Sequence, residues 1–277
     1  MSLRAWLRAR VRTNEFFLVF LAVALGVGTG FVVTLMSELA QLAHVLIYGI
    51  RIDVRLSAND EINPWVAGAS LVVGGFILGL MEWYRRRRKI SAAVDPVEAN
   101  ALRGGRLSLR DSLIVSLQTL ISNGSGASVG LEAGYTQIGA GLSSLGGRFL
   151  NLRRNDLRII VGAGAAAAIA AAFDAPLTGA FYACELIVGT YTAASAAPIL
   201  AAAISGTLVV RWLGTNTYSL NVPDLVMSDL RQYGLMLVLA ILVSGIGILV
   251  MGAAPLVERI FGHKLLPVWL RPMIGAI

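Results

Sequence analysis

Cysteine and histidine are nearly absent from this 277-residue chain: Cys184 stands alone, and His44 and His263 lie in unrelated segments. A single thiol excludes an intrachain disulfide and a thiolate metal site, so Cys184, within an apolar stretch, reads as a packing residue. Neither histidine has a metal-ligand spacing or a nucleophile partner, which leaves Ser125 in Gly124-Ser-Gly126 without the base that an intramembrane hydrolase needs. No catalytic residue or metal ligand is assigned. Charge is scarce too. Only 14% of the residues are Asp, Glu, Lys or Arg, 56% are hydrophobic, and the mean hydropathy is +0.73. That balance is too apolar for a soluble globule and implies an integral membrane protein.

Apolar stretches cover residues 16–50, 64–82, 159–173, 175–189, 196–213 and 234–254. Transmembrane β-strands would instead alternate over roughly ten residues, so the class is all-α. The net charge of +7 would suggest a nucleic-acid partner in a soluble protein. Here the basic residues sit where topology needs them, and membrane lipids are the expected surroundings. Arg4, Arg8, Arg10 and Arg12 precede the first apolar stretch and Arg85 to Lys89 follow the second, while the loop between them mixes Arg51, Asp53, Arg55, Asp60 and Glu61. By the positive-inside rule both basic clusters face the cytoplasm. The expected location is the bacterial inner membrane, with residues 1–14 as a cytoplasmic basic N-terminus. No small-residue cleavage site follows the first apolar segment, which is too long for a signal peptide and is expected to be retained.

The stretches are unequal. A helix over residues 16–50 would be roughly 50 Å long, well beyond a hydrocarbon core of about 30 Å, so it must tilt or bend. Residues 111–122 are apolar for too short a run to span, and a bend followed by a second helix from about Ala133 makes a broken helix. Residues 90–110 are the most polar internal stretch and read as a re-entrant turn, a short helix and a loop. Small residues crowd positions 162–180, a composition that lets helices approach closely in lipid.

The bend itself reads Gly124-Ser-Gly126-Ala-Ser-Val-Gly130-Leu-Glu132-Ala-Gly134. Glycines leave backbone N–H groups uncovered, and a helix starting after them adds a positive dipole end, so the segment suits an anion. A lone carboxylate there is a functional-site candidate. Glu132 caps the helix start, occupies the anion site as its own guest, or gates it.

This run, continued by Gln137-Ile138-Gly139, resembles the CLC chloride channels and chloride/proton antiporters, whose pattern is Gly-Ser-Gly-x-Ser-x-Gly-Arg-Glu-Gly-Pro. A second run about 40 residues on, Ala170-Ala-Ala-Phe-Asp-Ala-Pro176-Leu-Thr-Gly179-Ala-Phe-Tyr-Ala-Cys-Glu185, resembles the family's Ala-Ala-Phe-Asn-Ala-Pro-x-x-Gly-x-x-Phe-x-x-Glu. The resemblance runs from about Arg12 to the end. It implies a bundle of tilted, broken and re-entrant helices, with Glu132 as the gating glutamate. Backbone N–H groups of Gly130, Leu131, Ala133 and Gly134 would be the anion ligands. Leu131 replaces the family's arginine, and Ala133-Gly134 its Gly-Pro. Counting back from Ala101-Leu-Arg103-Gly-Gly-Arg106 puts Ser91 at the family's anion-site serine, without the flanking glycines and proline. Glu185 falls on a retained glutamate and reads as structural, bonded to nearby backbone. Leu186 stands where proton-coupled members often carry a second glutamate, which tilts the reading towards a passive chloride channel over an antiporter. Asp174 is expected to N-cap the helix that Pro176 opens.

The family's second-half motifs, a Gly-x-Phe-x-Pro loop and a central tyrosine, do not occur in the sequence. The expected organisation is therefore a first inverted repeat over residues 15–213 and opening helices of a second over 225–277. The resemblance implies chloride as the transported ligand, no cofactor, a homodimer, and a missing second half as partner. A non-conducting half-subunit acting only by association is the further alternative.

Overall fold

The computed structural model describes residues 15–59, 62–214, 230–262, 267 and 270–275. His263 and the basic N-terminus lie outside the described residues. Every regular element among them is helical: α1 (Glu15–Tyr48), α2 (Pro64–Arg87), α3 (Pro96–Arg103), α4 (Leu109–Gly124), α5 (Glu132–Phe149), α6 (Arg154–Phe173), α7 (Pro176–Tyr182), α8 (Ala193–Leu213), α9 (Leu230–Gly262) and α10 (Arg271–Ile274). α7 runs on into a π-helical turn, Ala183–Val188. Within the described residues α1, α2, α6, α8 and α9 are long and apolar enough to cross a membrane. The all-α membrane class read from composition is the class observed.

α6 is the axis of the bundle. Ala163, Ala165 to Ala168 and Ala170 are all 0% exposed, and Cys184 packs into the same cluster. Lipid tails are as apolar as leucine, so association inside a bilayer rests on close packing rather than on the hydrophobic effect. The glycines supply that closeness. A Cβ at Gly139 of α5 would lie 2.5 Å from Gly164 O of α6, and one at Gly164 would collide with Gly139 O and Ser143 Oγ. α1 and α8 run parallel by the same device, Gly26 lying against Ala202 and Gly30 against Gly206.

The short polar stretch folds as expected into α3, and its start is well capped. Asp95 immediately precedes Pro96 and its carboxylate accepts from Glu98 N at 2.8 Å. Asp174 does not repeat this, which corrects the expectation that it caps α7. It lies one residue too early: Ala175 is the residue before Pro176 and makes no side-chain cap. Asp174 instead closes α6 in the left-handed region (φ 52°, ψ 34°), its N–H bonded to Ala170 O. Its freed carboxylate accepts from Arg211 Nε of α8 at 2.6 Å.

Glu185 also differs from expectation. Its Oε1 accepts from the Tyr191 hydroxyl at 2.7 Å, not from neighbouring backbone. The π-turn shifts residue phase relative to an α-helix, and Glu185 is exposed with room to reach the following loop. That bond to the carboxylate pushes the Tyr191 phenol up to about 12, so it remains a donor.

Candidate anion site at the broken helix

α4 ends at Gly124, where the chain turns through Gly126 at φ +87°, a backbone state that favours glycine. Irregular backbone follows until α5 begins at Glu132, one residue before the position expected from sequence. Exposed carbonyls at the end of α4 would be costly in a membrane. Side chains from α1 and α2 meet them. His44 Nε2 donates to Asn123 O at 2.8 Å, and the hydroxyls of Tyr48 and Ser70 donate to Ser125 O at 2.8 and 3.0 Å. Asn123 Nδ2 then ties the bend to itself through Val129 O at 2.9 Å.

These contacts predict a measurable cost for loosening the bend. Tyr48→Phe keeps the ring and removes one donor, while Ser70 still serves the carbonyl. A loss of about 0.5–1.5 kcal/mol is expected. Thermal unfolding of the detergent-solubilised variant beside wild type measures it.

Beside the bend lies a cavity of about 440 Å³, lined by residues of α1, the α1–α2 loop, the bend, the start of α5 and the end of α6. It sits at the end of α2 opposite Arg85 to Lys89. Glu132, Gly130 and Leu131 all contribute to its wall. The first N–H groups of a helix have no intrahelical carbonyl to meet, and α5 has Leu131 as its N-cap, with no side-chain cap. The N–H groups around Glu132 thus open towards negative charge. Glu132 is partly buried and its carboxylate folds back over Gly130, so that a Cβ at Gly130 would collide with it. A side chain at Gly130 would therefore require the Glu132 carboxylate to swing away from this position.

Gly130, Leu131 and Glu132 line this cavity, whereas Ala133 and Gly134 lie in the first turn of α5 and are not among its lining residues. Ser91 is not among the residues lining this cavity. It lies on the exposed loop between α2 and α3, a loop joined to α5 where Gln137 Nε2 donates to Val94 O at 2.9 Å. Sequence reasoning left His44 unassigned and passed over Gln41, Tyr48 and Arg55. Each lies far along the chain from the bend, and no local spacing signals the contact.

The family model for the voltage gated chloride channel matches residues 73–277. Among curated relatives, a voltage-gated ClC-type chloride channel ClcB from Yersinia pestis is 32% identical over 161 residues, covering 57% of this chain and 39% of the relative. One of the same description from Shigella boydii is 29% identical over 228 residues, covering 80% and 54%. The chain thus spans about half or less of the length of these relatives. A solved slow cyanobacterial Cl-/H+ antiporter superposes with a TM-score of 0.75 at 18% identity, over 94% of this chain and 62% of that one. A CLC-type fluoride/proton antiporter gives 0.74 at 23%, over 95% and 64%. At those identities the likeness establishes the fold. With the fold, the glycine bend and a family match over most of its length, the chain belongs to the voltage gated chloride channel family.

Proposed function

We propose that this chain provides the first half of a chloride pathway, with Glu132 as its gate, and that it works as a passive channel. The observation that carries the reading is the placement of Glu132, its carboxylate over Gly130 at an uncapped helix start on a cavity wall. A carboxylate there stands in for an anion. When it is displaced or neutralised, the same N–H groups can receive chloride. Gly130, Leu131, Ala133 and Gly134 supply those groups, and Ser91 is kept as a further ligand. The Arg85 to Lys89 end faces the cytoplasm of a bacterial inner membrane, and the assembly is a homodimer completed by second-half helices.

Leu186 favours the channel. An aliphatic side chain cannot pass a proton, and Glu185 beside it is held by Tyr191. An antiporter is the second reading, favoured by the two structurally similar proteins, which are a Cl-/H+ and a fluoride/proton antiporter. A non-conducting half-subunit that acts only by association is the third. Co-reconstitution with a complementary second half into liposomes separates them: chloride should move with no coupled proton movement. Uphill proton transport driven by a chloride gradient would overturn the channel in favour of the antiporter, and flux by the 277-residue chain alone would eliminate the half-subunit.

A further inference from the structure

A second cavity touches the bend, and Glu132 has no part in it. It measures about 640 Å³ and lies between α1, α2 and α4, with Ala43, Val73, Ile77, Leu120 and Ile121 among its walls and Gly124 and Ser125 of the bend at its back. Among the described residues no charged side chain lines it, and its hydroxyls are engaged: Ser70 Oγ donates to Ser125 O at 3.0 Å and Ser125 Oγ to Ser122 O at 2.9 Å. A polar guest would find no free side chain to bond, so the space suits hydrocarbon. An apolar cavity of about 150 Å³ already takes a benzene molecule.

From this cavity an exposed apolar track continues along two helices, and each track ends in an arginine. On α2, Val73, Ile77, Leu80 and Tyr84 share one face by helical spacing and are 40–56% exposed; Arg88 follows on that face, its guanidinium 5.5 Å from the centre of the Tyr84 ring. On α4, Leu117 and Leu113 lead from Ile121 back to the exposed Arg110 in the same way. By the positive-inside rule both basic ends lie on the cytoplasmic side. At 1.5 Å per residue Leu120 stands about 15 Å from Arg110 and Ile77 about 16 Å from Arg88, which is half of a hydrocarbon core of about 30 Å. The opposite face of α2 is already covered: a Cβ at Gly75 would lie 2.8 Å from Met273 Cα of α10. The track face is the one turned to the bilayer. We propose that it is a site for an anionic phospholipid of the cytoplasmic leaflet, with one acyl chain reaching the cavity behind the bend and the phosphate at the end marked by Arg88 and Arg110. The proposal rests on the cytoplasmic assignment of that end and not on Glu132 as a gate. The chain end then packs against Gly124 and Ser125, so lipid supports the bend from behind.

The test reads the chain and the headgroup separately. The full chain, co-reconstituted with a complementary second half, is irradiated in liposomes carrying trace phosphatidylglycerol or phosphatidylcholine with a diazirine near the end of one acyl chain. Peptide mapping should find adducts on the cavity residues of α2 and α4, and more from phosphatidylglycerol than from phosphatidylcholine. Arg88→Gln and Arg110→Gln should each lower the phosphatidylglycerol yield about fivefold, the order for one arginine near an anionic headgroup. The phosphatidylcholine yield should stay as in wild type, which also reports that the variants fold, and Arg88→Lys and Arg110→Lys should keep the preference. Val73→Trp, which fills the cavity from an exposed position, should lower the yield from both lipids. Equal yields from the two lipids in wild type, a phosphatidylglycerol yield unchanged in the double Gln variant, or adducts unaffected by Val73→Trp would overturn the proposal. Loss of the cavity adducts once the second half is present would overturn it too, by showing that protein covers the track. Label in both leaflets reads the site whichever end faces inward, and no chloride movement is needed, so topology and transport can fail without deciding the result.

Discussion

Glu132→Gln should raise chloride flux roughly tenfold at neutral pH. The substitution keeps shape and removes charge, so it isolates what the carboxylate does at the start of α5. An ionised acceptor holds N–H donors by about 1.5–3 kcal/mol and a neutral one by about 0.5–1.5, and a difference near 1.4 kcal/mol is a factor of ten in occupancy. The amide side chain should therefore yield its place to chloride far more often. Gly130 frames the prediction, because the folded-back carboxylate occupies space that any Cβ would need. Liposome flux assays with the complementary half measure the effect, and an unchanged flux would overturn the gating role of Glu132.

The second large effect lies in the core, away from the pathway. Gly164→Val should prevent normal assembly, since its side chain would be driven into Gly139 O and Ser143 Oγ. Overpacking a well-filled interior costs about 1–3 kcal/mol where side chains can adjust, and the backbone carbonyl here is part of α5. The expected result is loss of a monodisperse peak in detergent, or a thermal midpoint several degrees below wild type. Gly68→Val is the control: nothing lies within 4 Å of a Cβ at Gly68, and the variant should behave as wild type. Equal behaviour of the two variants would show that the α5–α6 crossing is looser than its contacts indicate.

Tyr48 tests the site from the opposite side, through an element that sequence reading did not connect to it. Glu132 was legible because a carboxylate among glycines inside an apolar chain has few structural uses. Asp174 was misread for the same local reason that makes such reading work: an acidic residue near a proline is a common cap, and one residue of spacing decided against it. No such signal marks His44, whose partner Asn123 is 79 residues away in the chain.

Composition by itself determined that this chain belongs in a membrane and is helical, because backbone groups in lipid must be bonded within the segment. Interrupted apolar runs and glycines likewise fixed the broken helix and its lone carboxylate, since both follow from local backbone freedom and length. Only the tertiary structure decided which side chains hold the bend, where Asp174 and Glu185 send their carboxylates, and that Arg55 shares a cavity with Glu132. Those outcomes depend on how distant helices cross, and the crossings are set by glycine contacts across the bundle rather than by any neighbour in the chain.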